Sequence, residues 1–288
     1  MAVKPWYKVV DPREDLKEGR PLDASEFAVH LDKVREGIAP PDYQDPRRFF
    51  ERTYLTETLK AFSSEVVARL AGESVETNAV FNLTTQYGGG KTHALTLIYH
   101  LVKAGSKAYG WPGVMEIVNA AEISSIPEAA TAVFVGTEFD SLTGRGGDDG
   151  TPLRKTPWGE IAFQLGGIDS FEKVKEHDER MIAPGGDVIR SFLPKDTPCL
   201  ILMDEIINYT NRARKLRNGM AEQLHTFIHN LSETARSERG VVLAISIPAS
   251  ELEMTTDDQG DYIRLEKLLE RVGKAYIMSA KEETAEII

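Results

Sequence analysis

Phe81-Asn82-Leu83-Thr84-Thr85-Gln86-Tyr87-Gly88-Gly89-Gly90-Lys91-Thr92-His93 is an apolar run, a glycine-rich turn and a Lys-Thr pair that opens a second apolar stretch. Each part has a physical use in holding an anion. Glycines let successive backbone N–H groups curl around a charge without Cβ clashes. A helix starting at Lys91 offers its unpaired N–H groups and the positive end of its dipole. Lys91 would reach terminal phosphates, and the Thr92 hydroxyl would bind Mg²⁺. The common pattern GxxxxGK[ST] wants glycine six residues before the lysine, and Thr85 stands there instead. Thr85 can enter the loop with ordinary dihedrals, and Gly88 and Gly89 supply flexibility later. The stretch from Tyr87 through Gly88, Gly89, Gly90, Lys91 and Thr92 to His93 is therefore the expected nucleotide-binding segment. The plainer alternative is a glycine-rich turn with a solvated lysine.

Working outward, short apolar runs alternate with helical patterns. Strands are expected at Ala79–Leu83, Thr131–Gly136, Cys199–Met203, Val241–Ile247 and Ala275–Met278, with a helix over Thr92–Val102. Near-continuous Val/Ile/Leu/Ala runs separated by helices indicate parallel strands buried on both faces. Upstream, Asp45 reads as an N-cap with Pro46 at the first helical position. Leu55, Leu59, Phe62, Val66, Val67 and Leu70 then fall on one helical face, and Gly72 is the expected stop. Residues 1–45 are rich in Pro and charge, with Phe27, Leu31 and Val34 at helical spacing. They read as an arm wrapping a later domain, 46–288. The run from Thr143 to Gly150 reads as a flexible loop.

The second chemical signal is Leu200-Ile201-Leu202-Met203-Asp204-Glu205, a buried strand ending in two acids. At the carboxyl edge of a parallel sheet such groups face the ligand crevice. Asp204 would hold Mg²⁺ through water, and Glu205 would polarise the attacking water. The distance from Lys91 leaves room for the intervening strand at Thr131–Gly136. Alternatively, the two acids simply cap the next helix. The fourth strand ends in Ser246, a candidate sensor of the terminal phosphate or an ordinary strand-end serine. Arg271 precedes the fifth strand, where an arginine can serve a neighbouring subunit's phosphates. Arg264 is the second choice, and a surface ion pair is the alternative for either. Arg212, Arg214, Lys215 and Arg217 form a basic run that faces a phosphate backbone or solvent.

Composition bounds these readings. Lys+Arg 34 against Asp+Glu 45 gives a net charge of −11, which excludes a surface wholly devoted to coating nucleic acid. No stretch approaches the roughly 18 consecutive apolar residues of a membrane span, and the start lacks the apolar core of a signal peptide. One cysteine, Cys199, allows no internal disulfide and fits a reducing, cytoplasmic setting. No NKxD-type guanine-reading motif occurs, which favours ATP over GTP. A small-molecule phosphotransferase would need an acceptor pocket, to which Arg145 could contribute. Glu205 beside Asp204 fits water activation better.

TTQYGGGKTH, the DEIINY after the third strand, and the opening PWYKVVDPREDLKEG with FAVHLDKV and FFERTYLT resemble a set of large bacterial and archaeal AAA+ ATPases of a domain-of-unknown-function type. Those proteins are often encoded in phage-defence clusters beside DNA methyltransferases and helicases. The resemblance covers essentially the whole chain but only the N-terminal part of such a protein. It implies ATP binding with Lys91 and Thr92, and Mg²⁺ and hydrolysis with Asp204 and Glu205, with methyltransferase or helicase subunits as partners and homo-oligomers allowed. The expected fold is a three-layer α/β P-loop NTPase of AAA+/ASCE type. Its central, mostly parallel five-stranded sheet would follow an N-terminal arm and helix. The helical lid usual in this class is missing after the fifth strand, so the chain reads as the front of a longer protein. The alternative function is a nucleotide-binding regulatory scaffold with little hydrolysis of its own.

Overall fold

Every residue of β3, Cys199–Asp204, is buried. Cys199, Ile201 and Met203 enter one apolar cluster, and Leu200 and Leu202 enter a second cluster on the opposite face. Strand side chains alternate, so an unbroken apolar run needs helices on both sides. The chain supplies them. The computed structural model describes residues 29–73, 77–85, 90–248 and 256–278, with the single residues Pro5, Lys17 and Gly19.

Within these residues the helices α1 (Leu31–Glu36), α2 (Pro41–Gln44), α3 (Pro46–Glu51) and α4 (Glu57–Ala71) lead into β1 (Val80–Thr85). Then follow α5 (Lys91–Ala104), α6 (Val114–Ala121), β2 (Ala130–Val135), α7 (Pro157–Glu172), α8 (Lys175–Arg180) and α9 (Gly186–Phe192). After β3 come α10 (Ile206–Leu216), α11 (Met220–Ser237), β4 (Val241–Pro248), α12 (Thr256–Val272) and β5 (Lys274–Ile277). The sheet order is β2-β3-β4-β1-β5. Every pairing is parallel, where the sequence left room for a mixed sheet. β2 intervenes between lysine strand and acid strand along the chain, but in space it lies at the sheet edge. The strand between β1 and β3 is β4. Helices α1 and α3–α6 pack on one face, and α7 and α9–α12 on the other.

The expected helix from Asp45 to Leu70 is two helices. Asp45 does cap the first, accepting from Arg48 N at 3.1 Å, with Pro46 at its first position. Thr53 then donates to the Phe49 carbonyl at 2.7 Å, and Thr56 caps the second helix by accepting from Leu59 N at 3.2 Å. A side chain that bonds the backbone competes with the helix ladder, so two threonines break what periodicity alone reads as continuous. Gly72, left-handed at φ 67, ends α4 as expected.

The described part of the arm is held on the domain. Leu31 and Val34 are buried, while Phe27 lies outside the described residues. Arg145 binds Asp32 at 2.6 Å and Glu160 at 3.3 Å, and Arg154 binds Glu160 at 2.9 Å. Residues 145 and 154 also form an antiparallel bridge. The Thr143–Gly150 loop, read from its glycines as flexible, is thus pinned at its base by a buried ionic cluster.

Candidate nucleotide site

Parallel strands all present their carboxyl ends at one edge, so the ends of β1, β4 and β3 bring distant residues together. Gly90 is the N-cap of α5 with φ 82, a conformation in which a side chain is strained. Lys91 and Thr92 then occupy the first turn. Thr92 Oγ1 donates to Asp204 Oδ2 at 2.7 Å, across 112 residues of sequence. Ser246 Oγ donates to the other carboxylate oxygen, Asp204 Oδ1, which also accepts from Glu205 N at 3.1 Å. The register explains this meeting. Met203 lies beside Ile245 and Leu83 beside Ser246, so Asp204 and Ser246 are neighbours on adjacent strands.

Glu205 leaves the strand with φ 55 and ψ 35, left-handed values uncommon for a residue with a Cβ. Its carbonyl presses on Gly136, where an added Cβ would come within 2.1 Å of Glu205 O. Asn208 Nδ2 donates to Glu205 Oε2 at 2.6 Å. Burial and then the Asp204 charge push the Glu205 carboxyl above its ordinary range, opposed by Lys91 and the Asn208 amide. Burial pulls the Lys91 ammonium down, opposed by Glu205 and Asp204. The lysine therefore lies within electrostatic reach of both acids.

Among the described residues no group of three or more His, Cys, Asp and Glu could hold a metal ion. The Thr92 hydroxyl and the Asp204 carboxylate are nonetheless two hard oxygen donors side by side. Such a pair suits Mg²⁺, which keeps several waters and takes few protein ligands. The helix N-terminus beside them suits phosphate.

Gly90, Lys91, Thr92, Asp204, Glu205 and Ser246 thus converge. Tyr87, Gly88 and Gly89 lie outside the described residues. The His93 ring faces elsewhere. It stacks on Phe49 with centroids 4.4 Å apart, and its Nε2 lies 2.9 Å from Thr53 Oγ1. The threonine spends its proton on Phe49 O, so the histidine donates and carries its hydrogen on Nε2. Burial pushes this ring down to about 4. Ser246 is buried and spent on Asp204, so it fixes the acid rather than standing open at the crevice.

Arg271 is remote from these residues. β5 begins at Lys274, which pairs with Phe81 near the amino end of β1, so Arg271 lies at the opposite edge of the sheet. It is exposed and donates to His229 Nδ1 at 3.4 Å. Arg264 is exposed on the same helix. The basic run does not form one face, because helix positions turn by about 100° per residue. Arg212 donates to the carbonyls of Gly136, Thr137 and Phe139. Arg214 pairs with Asp261, Arg217 lies against Met181 Sδ, and Lys215 is exposed. Sequence reading gave no role to Gly136 or Asn208. The glycine at the end of an apolar strand was the signal for the first; the second stands within DEIINY, three residues after Glu205, and that helical spacing was its signal.

The DUF499 N-terminal domain model matches residues 1–280. The chain belongs to the DUF499 family. No curated protein matches it. No helix among the described residues is long and apolar enough to cross a membrane.

Proposed function

We propose that this DUF499 domain binds and hydrolyses a nucleoside triphosphate, ATP by preference, in a Mg²⁺-dependent reaction. The fold would be of the P-loop NTPase, AAA+/ASCE kind. One observation carries the reading: the Thr92 hydroxyl and the Asp204 carboxylate meet at 2.7 Å from elements 112 residues apart. Glu205 follows directly, and Lys91 lies within reach of both acids. A glycine turn that merely reverses the chain has no need of this convergence.

In the proposed reaction Lys91 and the α5 N-terminus bind the phosphates. Thr92 and Asp204 would hold Mg²⁺, which neutralises phosphate charge when bound. Glu205 orients water and accepts its proton as the water oxygen bonds to the terminal phosphorus and the bridging oxygen departs with the diphosphate. Arg271, at the opposite edge of the sheet against His229, takes no part in the reaction proposed for its own chain. Membership of a DNA-linked anti-phage system, with methyltransferase or helicase subunits as partners, rests on the sequence resemblance. Three members of the basic run have internal or neighbouring partners, so direct nucleic-acid contact through it is not part of the proposal.

The test is ATP binding by the wild type and Lys91→Ala with and without Mg²⁺, followed by phosphate release from the wild type and Glu205→Gln. The lysine change is expected to weaken binding, and the glutamate change to stop release while binding persists. Unchanged affinity in Lys91→Ala removes the site assignment. Binding without release under any partner condition leaves a nucleotide-regulated scaffold.

A further inference from the structure

The hydrolytic reading leaves unexplained what holds Glu205. Its left-handed backbone joins β3 to α10, and Asn208 grips it twice. Asn208 N donates to Glu205 O at 3.1 Å, closing the first turn. Asn208 Nδ2 donates to Glu205 Oε2 at 2.6 Å. A carboxylate only accepts, so the amide nitrogen, not its oxygen, faces the acid. One turn on, Arg212 ties down the carbonyls of Gly136, Thr137 and Phe139. That loop is the one on which the Glu205 carbonyl rests. One face of α10 therefore anchors Glu205 by its carboxylate and by the backbone beneath it.

Resting on the hydrolytic reading, we propose that Asn208 is a positioning residue for Glu205. Its amide fixes one carboxylate oxygen against α10 and leaves the other to take the proton of the attacking water. An asparagine that merely closed a helix turn would affect folding and leave turnover of the bound nucleotide alone.

The experiment uses the full chain and compares wild type, Asn208→Ala, Asn208→Asp and Glu205→Gln. The readouts are ATP affinity, kcat for phosphate release, melting temperature and the position of the Glu205 side chain in crystals. In Asn208→Ala we expect kcat to fall on the order of tenfold, with ATP affinity and melting temperature unchanged and the Glu205 carboxylate turned away from α10. Asn208→Asp, which keeps the shape but replaces the donor by a second acceptor, should lose at least as much. Wild-type kcat in both variants, or an unmoved carboxylate, overturns the proposal. So do parallel losses of kcat, affinity and melting temperature. If the wild type binds ATP but releases no phosphate, the hydrolytic reading fails by itself, and the crystals still decide whether the amide holds the carboxylate.

Discussion

Gly136 and Glu205 are in backbone contact: a Cβ on Gly136 would stand 2.1 Å from Glu205 O and 2.8 Å from its carbonyl carbon. The end of β2 thus leaves a space that the turn after β3 fills. The left-handed turn at Glu205 is held against that surface. A side chain on Gly136 must displace the proposed catalytic acid or open the sheet edge.

Gly136→Ala is accordingly expected to cost about 1–3 kcal/mol, the usual range for overpacking. It should also reduce phosphate release more than ATP affinity. Urea denaturation and kinetics on the same preparation check both. A variant with wild-type stability and turnover would contradict the close approach.

Thr92 and Ser246 both donate to Asp204 but have different predicted roles. Thr92→Val should remove most of the Mg²⁺ dependence of ATP affinity, because the hydroxyl is a proposed ligand. Ser246→Ala removes a buried hydrogen bond to a carboxylate and should cost about 1.5–3 kcal/mol of stability. Its Mg²⁺ dependence should be retained. Binding titrations with and without the cation, beside denaturant melts, separate the two.

His93 supplies a pH signature. Its folded value, about 4, lies below the ordinary 6.5 of an unfolded histidine. The unfolded chain therefore binds the extra proton first. The contribution to stability is complete above about pH 6.5 and is lost as pH falls towards about 4. His100 is pushed down in the same direction by burial, partly offset by its bond to Tyr43 O and by Asp45. Replacing one of the two should leave part of the loss. In His93→Gln, the slope of unfolding free energy between pH 4 and 6.5 should fall by up to about 1.4 kcal/mol per pH unit. Denaturant melts across that range provide the measurement.

Arg145→Ala tests the latch of the arm. Asp32 and Glu160 have side chains 5% and 2% exposed, and they would lose a shared cation. Asp32 keeps Arg35 at 3.0 Å and Glu160 keeps Arg154 at 2.9 Å, so neither acid is left unpaired and the cost is about 1.5–3 kcal/mol, that of the lost charge-assisted hydrogen bonds. Faster proteolysis near Leu31–Glu36 should accompany the loss. A substrate-binding arginine would instead raise KM with stability intact.

Strands β1–β4 were legible because each apolar run is covered by helices on both faces, and a buried parallel strand leaves no polar alternation to misread. Strand β5, expected to be buried in the same way, is an edge strand with only Tyr276 of Lys274–Ile277 buried. The Gly-Lys-Thr turn and the Asp-Glu strand end stand out in the sequence by residue type, and the fold does bring Thr92 and Asp204 together. The helix break at Thr53–Thr56 was not legible, since two hydroxyls bonding to backbone override a periodicity that runs on regardless. Nor was the anchoring of the Thr143–Gly150 loop, because the Asp32 and Glu160 that receive Arg145 lie in distant segments.

By itself the sequence determined the alternation of strand and helix, and it determined the residue types, Gly-Lys-Thr and Asp-Glu, on which the proposed site rests. Both depend on local pattern and local chemistry. Only the tertiary structure decided that β4 separates the lysine strand from the acid strand, and that Ser246 is spent on Asp204. It also turned His93 towards Phe49 and Thr53, and it brought Gly136 to Glu205. Those outcomes depend on strand order, register and the direction of single side chains, which contacts between remote segments select.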